Sequence, residues 1–306
     1  MRIGFVWIGI CLATALPRSI PAQIISTNIS VADAFVRSLA QTNNYGGAGA
    51  LSVSGPIATN AIGQQGGLLD TFIRFDLSGP VTNFNATFGP GRWGVVSAAL
   101  VLFEQGMPNN PIFNQGVGPF EVQWIPNNSW QEGTGNPNNP TTDGITWDDE
   151  PSVLNSNLDE HLGTFVNGGT DGVVTLSLGL PPGFLSELST SGVVSFYMTA
   201  PTNSPVGFTF HSHNFVESSE WPFLAVAVVP MPQIMSFALV GSSARINFTT
   251  YSNLIYAVQY NSNLTNGAWN TLTNVTGTGS TMTFTDSTVA GVSQRLYRVD
   301  LVVPAN

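Results

Sequence analysis

The sequence predicts an all-β protein, a large antiparallel β-sandwich followed by a smaller C-terminal one. Three observations carry that prediction. Apolar segments beyond Gln23 are short and rich in Val, Ile, Phe and Thr. Gly, Pro and Asn interrupt them about every ten residues, and several alternate with a period of two. Helical periodicity is almost missing, and only Gly183–Leu188 reads as a short helical turn.

In chain order, the first segment is unlike the rest. Arg2 supplies a basic start, Ile3 to Leu16 is apolar, and Pro17 to Ala22 is polar and turn-prone. This layout predicts a secretory signal peptide over residues 1–22, cleaved after Ala22, because the apolar run is too short to span a bilayer comfortably. The expectation is a secreted or outer-surface bacterial protein with no membrane insertion after cleavage. The single cysteine, Cys11, leaves with the signal, so the remaining chain has no thiol for a disulfide or a metal.

Residues 23–229 are expected to form the large domain. Its predicted strands are Ser30–Val36, Thr71–Leu77, Val95–Phe103, Gly118–Trp124, Gly163–Val166, Val173–Leu178, Val193–Thr199, Gly207–His211 and Phe223–Val229. Within Thr71–Leu77, Phe72, Arg74 and Asp76 share one face, with Ile73, Phe75 and Leu77 on the other. Ser97–Phe103 is more uniformly apolar, which places it centrally in a sheet. Pro230-Met231-Pro232-Gln233 reads as a stiff linker, since two prolines in three residues cannot serve a central ladder. Beyond it, residues 234–306 repeat the β pattern in Ile234–Leu239, Ala244–Thr249, Ile255–Tyr260, Thr281–Thr285 and Arg295–Val302.

Charge narrows the partners. The chain carries 8 basic residues, all arginine, against 18 acids, a net charge of −10. Removing Arg2 and Arg18 leaves six arginines and a net charge of −12. Nucleic acid and anionic lipid both need a basic footprint, so neither is an expected partner. Neutral polysaccharide and divalent cations remain compatible.

Several segments of the large domain carry a family resemblance. Val31-Ala32-Asp33-Ala34-Phe35-Val36-Arg37 with Thr42-Asn43-Asn44-Tyr45-Gly46, then Thr71-Phe72-Ile73-Arg74-Phe75-Asp76-Leu77 and Ala98-Ala99-Leu100-Val101-Leu102-Phe103, occur in order. Ser129-Trp130-Gln131-Glu132, Ile145-Thr146-Trp147 and Trp221-Pro222-Phe223-Leu224 follow. Together they resemble the DNRLRE-type domain, related to carbohydrate-binding module family 96. The resemblance implies a jelly-roll sandwich on a secreted or surface protein, with polysaccharide or a cell-surface component as partner and no catalysis by the module. Two departures stand out. Gly133 to Gly144 separates the W-x-E and I-T-W pieces, and His211-Ser212-His213-Asn214 replaces the usual Arg-Glu pair of the last strand. The small domain resembles a β domain at the C-terminus of many large secreted bacterial proteins, which implies spacing, surface retention or export sorting.

Candidate chemistry concentrates in Trp124 to Pro151, which holds three of the seven tryptophans and the acids Glu132, Asp143, Asp148, Asp149 and Glu150. Sugar binding uses aromatic faces with polar groups that read hydroxyls, so Trp130, Glu132, Trp147, Asp148 and Asp149 are the expected ligand residues, with Arg37 and Arg74. Tyr45, Trp93, Trp124 and Trp221 are further aromatic candidates. Two facing carboxylates would suit a glycosidase, and Glu132 with Asp148 or Glu150 supplies them on paper. Nucleophilic catalysis is not expected: there is no G-x-S-x-G elbow for a serine and no mature cysteine, and only His161, His211 and His213 could serve as a base. His211-x-His213 places two imidazoles on one strand face as a metal half-site. Acidic, lysine-free loops suit a structural calcium, with Asp33, Glu217 and Glu220 as expected ligands. Three readings stay open: a non-catalytic binder of polysaccharide or the cell surface, a structural surface or matrix protein, and a glycan-active enzyme.

Overall fold

The computed structural model describes residues 23–60, 62–105, 112–263 and 268–302; the predicted signal peptide and Cys11 lie outside them. The large domain runs β1 (Ile24–Arg37), β2 (Ala50–Ser54), β3 (Thr59–Asn60), β4 (Leu69–Asp76), α1 (Ser78–Phe88), β5 (Trp93–Glu104), β6 (Asn114–Gln115) and β7 (Gly118–Ile125). It continues with α2 (Glu150–Val153), β8 (Glu160–Asn167), β9 (Gly172–Leu178), α3 (Pro182–Ser189), β10 (Val193–Thr199), β11 (Gly207–His211) and β12 (Phe223–Pro230).

Eight long strands pair antiparallel. One sheet is β1–β12–β5–β9 and the other is β1–β4–β10–β7–β8. Counted along the chain, these strands order first-eighth-third-sixth and second-seventh-fourth-fifth, the interlocked Greek keys of a jelly roll. β1 serves both sheets: residues 24–29 pair with β12 and residues 30–37 with β4, with a bulge between Ser30 and Ala32. β5 takes the predicted central position, between β12 and β9.

Alternation explains how each strand packs. Phe35, Ile73, Phe75, Leu100, Leu102, Phe120, Phe196, Phe208 and Leu224 point between the sheets into one core. Ile73, Phe75 and Leu77 take the inner face as predicted. The opposite face is not left to solvent. Ala32, Ala34, Val36, Phe72, Ile125 and Tyr197, on the outside of the second sheet, are buried beneath Trp130, Ile145 and Val153. The cover is the connection from β7 to β8, residues 126–159, which lies across the sheet as an extra layer. The excursion from Gly133 to Gly144 belongs to this layer.

Two helices border the sandwich. α3 extends the predicted Gly183–Leu188 turn. α1 was not expected, although Val81, Phe84 and Phe88 lie on one helical face and are buried, with Phe84 edge-on to Trp93 at 5.1 Å. Thr82, Asn83, Asn85 and Thr87 are weak helix formers and mask that spacing. β2 and the early part of β1 were also unmarked by the pattern.

The small domain contains β13 (Ile234–Val240), β14 (Ser243–Thr249), β15 (Ile255–Asn261), β16 (Asn270–Thr276), β17 (Thr281–Asp286) and β18 (Leu296–Val302). Its two sheets, β13–β14–β17 and β16–β15–β18, enclose Ile246, Phe248, Tyr256, Val258 and Leu301. Val229 joins that core, with half-buried Val96 and Met231 packed against it. The Met231 amide donates to the Arg92 carbonyl at 2.8 Å. The expected linker is therefore packed onto both domains: β12 runs on through Pro230, whose missing N–H is tolerated at a strand end. Among the described residues no helix is long and apolar enough to cross a membrane.

Candidate functional site

Residues 126–159 are held on the sandwich by three polar anchors. The first is Asn44, fully buried in the middle of the loop between β1 and β2. Its Nδ2 donates to the carbonyls of Glu132 at 2.6 Å and Ile145 at 2.9 Å, while its Oδ1 accepts from the amides of Gly46 and Gly135, each at 3.1 Å. The second is Arg74, on the outer face of β4. Its Nη1 donates to the carbonyls of Asn128 at 2.8 Å and Trp130 at 2.9 Å, and the guanidinium lies 4.8 Å over the Trp130 ring.

The third anchor is a carboxyl–phenol–carboxyl chain. Tyr197 Oη of β10 lies 3.0 Å from Asp70 Oδ2 of β4 and 2.9 Å from Glu150 Oε1 of α2. A phenol has one proton and can donate fully to only one of them, so the second contact becomes a hydrogen bond when that carboxyl is itself protonated. Burial, above all, pushes both acids above their ordinary range; the Asp70 charge adds to the effect on Glu150. Glu150 Oε2 is buried with no hydrogen-bond partner.

These anchors settle where the expected ligand residues lie. Trp130 is only 4% exposed; it packs on Phe72 at 5.7 Å, and its Nε1–H donates to Ser195 Oγ at 3.0 Å. A ring covered in this way offers no face to a pyranose, so Trp130 is a core residue of the covering layer and not a stacking platform. Trp147 is half-buried against the same layer. Tyr45, Trp93 and Trp124 are buried in the main core, and Tyr45 stacks on Phe35 at 4.5 Å. Asp148 is exposed. Asp149 is exposed too, but its Oδ2 accepts from the Thr146 amide at 3.1 Å and hydroxyl at 2.6 Å, closing a turn. Arg37 donates from Nε to the Gly66 carbonyl at 2.8 Å, and Arg74 holds backbone; neither is set to receive an acidic sugar.

Over the covering layer runs an open groove of ≈ 420 Å³, lined by Asn127, Ser129, Trp130, Gln131, Thr142, Asp143, Gly144, Ile145, Asp149, Ser152 and Val153. Its exposed surface mixes amides, hydroxyls and two carboxylates with a smaller apolar share. Hydrogen bonds from Thr141 and Thr134 hold the Asp143 carboxyl well down, at about 2, so it is ionised there.

A second constellation lies where β1 passes from one sheet to the other. Asp33, Glu132 and His213 each turn a ligating atom to the same point, all within 4.8 Å of one another. His213 Nδ1 is 3.3 Å from Asp33 Oδ2 and 3.2 Å from Glu132 Oε1. Asp33 is fully buried; its Oδ2 accepts from the His213 amide at 2.8 Å and from Ser30 Oγ at 3.3 Å, whereas its Oδ1 has no hydrogen-bond partner. Glu132 Oε1 accepts from Asn214 Nδ2 at 3.0 Å and from the Asp33 amide at 3.3 Å. Burial raises Glu132 to about 6, partly countered by His213. Burial alone would lower His213, but the carboxylates of Asp33 and Glu132 beside it outweigh that and raise it.

The sequence signals for this constellation were scattered. Asp33 was expected among calcium ligands, but Glu217 is exposed and Glu220 pairs instead with His211 at 2.9 Å, so neither joins it. His211 and His213 do not form a half-site: His211 stacks on Phe215 at 3.5 Å while His213 turns to the acids. Glu132 meets Asp33 and His213, and Glu150 meets Asp70 and Tyr197, so the two acids suggested for a glycosidase are engaged in separate clusters. Asn44, Asp70 and Tyr197 carry no signal of their own in the sequence beyond the place of Asn44 in the family-like opening.

Comparison with known proteins adds little. No family model and no curated protein matches the chain. Among solved structures, a similarity to Ruminococcus gnavus Beta-glucuronidase covers 94% of this chain and 42% of that one, at 7% sequence identity and a TM-score of 0.23. The chain thus spans less than half of that protein's length, and a likeness this slight bears on neither fold nor activity.

Proposed function

We propose that the protein is a secreted, non-catalytic module that binds a neutral polysaccharide in the groove above residues 126–159. The observation that carries the reading is the groove's lining. Gln131, Asn127, Ser129, Thr142 and Ser152 offer amides and hydroxyls, and Asp143 an ionised acceptor, on an open surface that admits an extended chain. Such groups exchange hydrogen bonds with sugar hydroxyls in place of water. The sequence resemblance to the DNRLRE-type domain supports the same reading, and the net charge of −10 disfavours a polyanion. A structural surface or matrix role is the second reading. It is favoured by one observation: every tryptophan among the described residues is buried or half-buried, which leaves the groove without an open aromatic face.

Affinity electrophoresis of the full chain through gels containing neutral and acidic polysaccharides tests the first reading. Retardation by a neutral polysaccharide is expected, and it should weaken in Gln131→Ala and Ser152→Ala. Both positions are exposed, so their unfolding free energies should stay within the range of ordinary surface substitutions, about 0.5 kcal/mol of the parent. If no polysaccharide retards the protein, the binding role is wrong and the structural one stands.

A further inference from the structure

We propose that Asp33, Glu132 and His213 form a binding site for one divalent transition-metal cation of the zinc type. The site joins β1, the 126–159 layer and the turn after β11. This assignment goes beyond the glycan reading and stands without it.

The donor set is one imidazole nitrogen and two carboxylates, a familiar three-residue complement for zinc with water in a fourth position. The spacing fits as well. Ligands at ~2.1 Å from a tetrahedral ion stand ~3.4 Å apart, and His213 Nδ1 lies 3.3 Å and 3.2 Å from the two carboxylate oxygens. Calcium would ask for six to eight oxygens, and an imidazole is a poor substitute for one of them.

An independent observation points to a ligand. Asp33 is fully buried, yet its Oδ1 has no hydrogen-bond partner. A buried carboxylate left with an unpaired oxygen is costly, and a cation held by that carboxylate offsets the cost, with Oδ2 the oxygen nearest His213. His213 Nδ1 likewise faces two acceptors without making a hydrogen bond to either. An imidazole nitrogen so placed needs a positive charge between it and the acids, which a proton or a metal ion can supply.

The surroundings resemble a supporting shell. Ser30 Oγ and the His213 amide orient the Asp33 carboxylate, and Asn214 Nδ2 orients Glu132. The side chains of Glu132 and His213 are 22% and 19% exposed, so the point is reached from the surface while Asp33 closes its floor. Because the three ligands come from segments 99 and 180 residues apart, counted from Asp33, an ion here would cross-link the covering layer to the sandwich.

The test uses the full chain, stripped with a chelator and titrated with Zn²⁺ and, in parallel, with Co²⁺. The expected result is one ion per chain, a higher melting temperature, and the strong visible absorption of four-coordinate cobalt. Glu132→Gln and His213→Gln should each abolish the saturable uptake while the ion-free proteins keep the parent circular dichroism. Asp33→Asn is the less useful variant because its carboxylate also fixes the turn at His213. No stoichiometric uptake by the parent, or undiminished uptake by both variants, overturns the site. Tighter uptake of Ca²⁺ than of Zn²⁺ overturns the choice of ion.

Discussion

Replacing Asn44 by alanine should loosen the covering layer without dissolving the sandwich beneath it. The side chain makes four hydrogen bonds in a site closed to solvent, two to carbonyls and two from amides. At about 1 kcal/mol net for each bond, their loss costs ~4 kcal/mol. Water entering the vacated space would reduce that figure, and buried groups left unpaired would raise it. The main-chain bridge between Asn44 and Thr141 survives the change, so the damage should centre on Gly135, Ile145 and the carbonyl of Glu132. Urea unfolding measures the total, and amide hydrogen exchange locates it. Protection should fall at Gly135 and Ile145 and persist at Phe196 in β10. Asn44→Asp sharpens the experiment, because a carboxylate would replace the Nδ2 donor with an acceptor facing two carbonyls. It should be at least as damaging at neutral pH and partly recover in acid. A loss below about 1 kcal/mol with unchanged exchange would mean that Trp130, Ile145 and Val153 hold the layer by apolar contact alone, and the keystone role of Asn44 would be refuted.

The two domains should respond to acid with opposite signs. In the large domain, Asp70 and Glu150 are raised from 3.8 to about 6 and from 4.5 to about 7. Raised groups stabilise most below their unfolded values and lose that contribution as pH climbs through the folded ones, so anchoring of the layer should weaken from about pH 4 to pH 7. Glu150→Gln should flatten this decline in melting temperature; an unaltered slope would exclude the pair as its source. In the small domain, burial works against ionisation of Asp286, but hydrogen bonds from Thr288, Tyr297 and Arg295 prevail and bring it down to about 2. A depressed carboxyl contributes above its unfolded value of 3.8 and ceases to do so as pH falls through about 2. Calorimetry of Asp286→Asn should show a less stable small domain at pH 7 and a difference that shrinks in acid, whereas a constant difference would rule out the linkage.

Much of the large domain was legible because strand burial writes itself into the sequence every second residue. Ile73, Phe75 and Leu77 against Phe72, Arg74 and Asp76 gave both the strand and its inner face. The same alternation could not say that Phe72 would be covered by residues 126–159, since a polar connection carries no period that announces where it will lie. Trp130 illustrates the difficulty: among Asn, Ser, Gln and Glu it looks exposed, but Arg74 and Ser195, distant in sequence, receive it. α1 was hidden for a local reason, the poor helix formers between its apolar positions. The Asp33–Glu132–His213 constellation was illegible for a topological one. Its members each carry a separate sequence signal, but what unites them is a strand crossing between sheets. Short-range spacing does not record that.

β1 and β12 run antiparallel with Ile24 opposite Val228, and β12 then passes directly into the small domain. The two points through which tension would enter the large domain therefore lie side by side at one end of the same strand pair. A pull between Ile24 and the small domain would open that pair as a zipper, loading its hydrogen bonds one after another. Strands pulled lengthwise past each other would share the load among all their bonds at once. The jelly roll is thus mechanically soft along this direction, however stable it is in solution. As a load-bearing link it would yield from its first strand inward, freeing residues 24–29 while the lower half of β1, clamped to β4, still held.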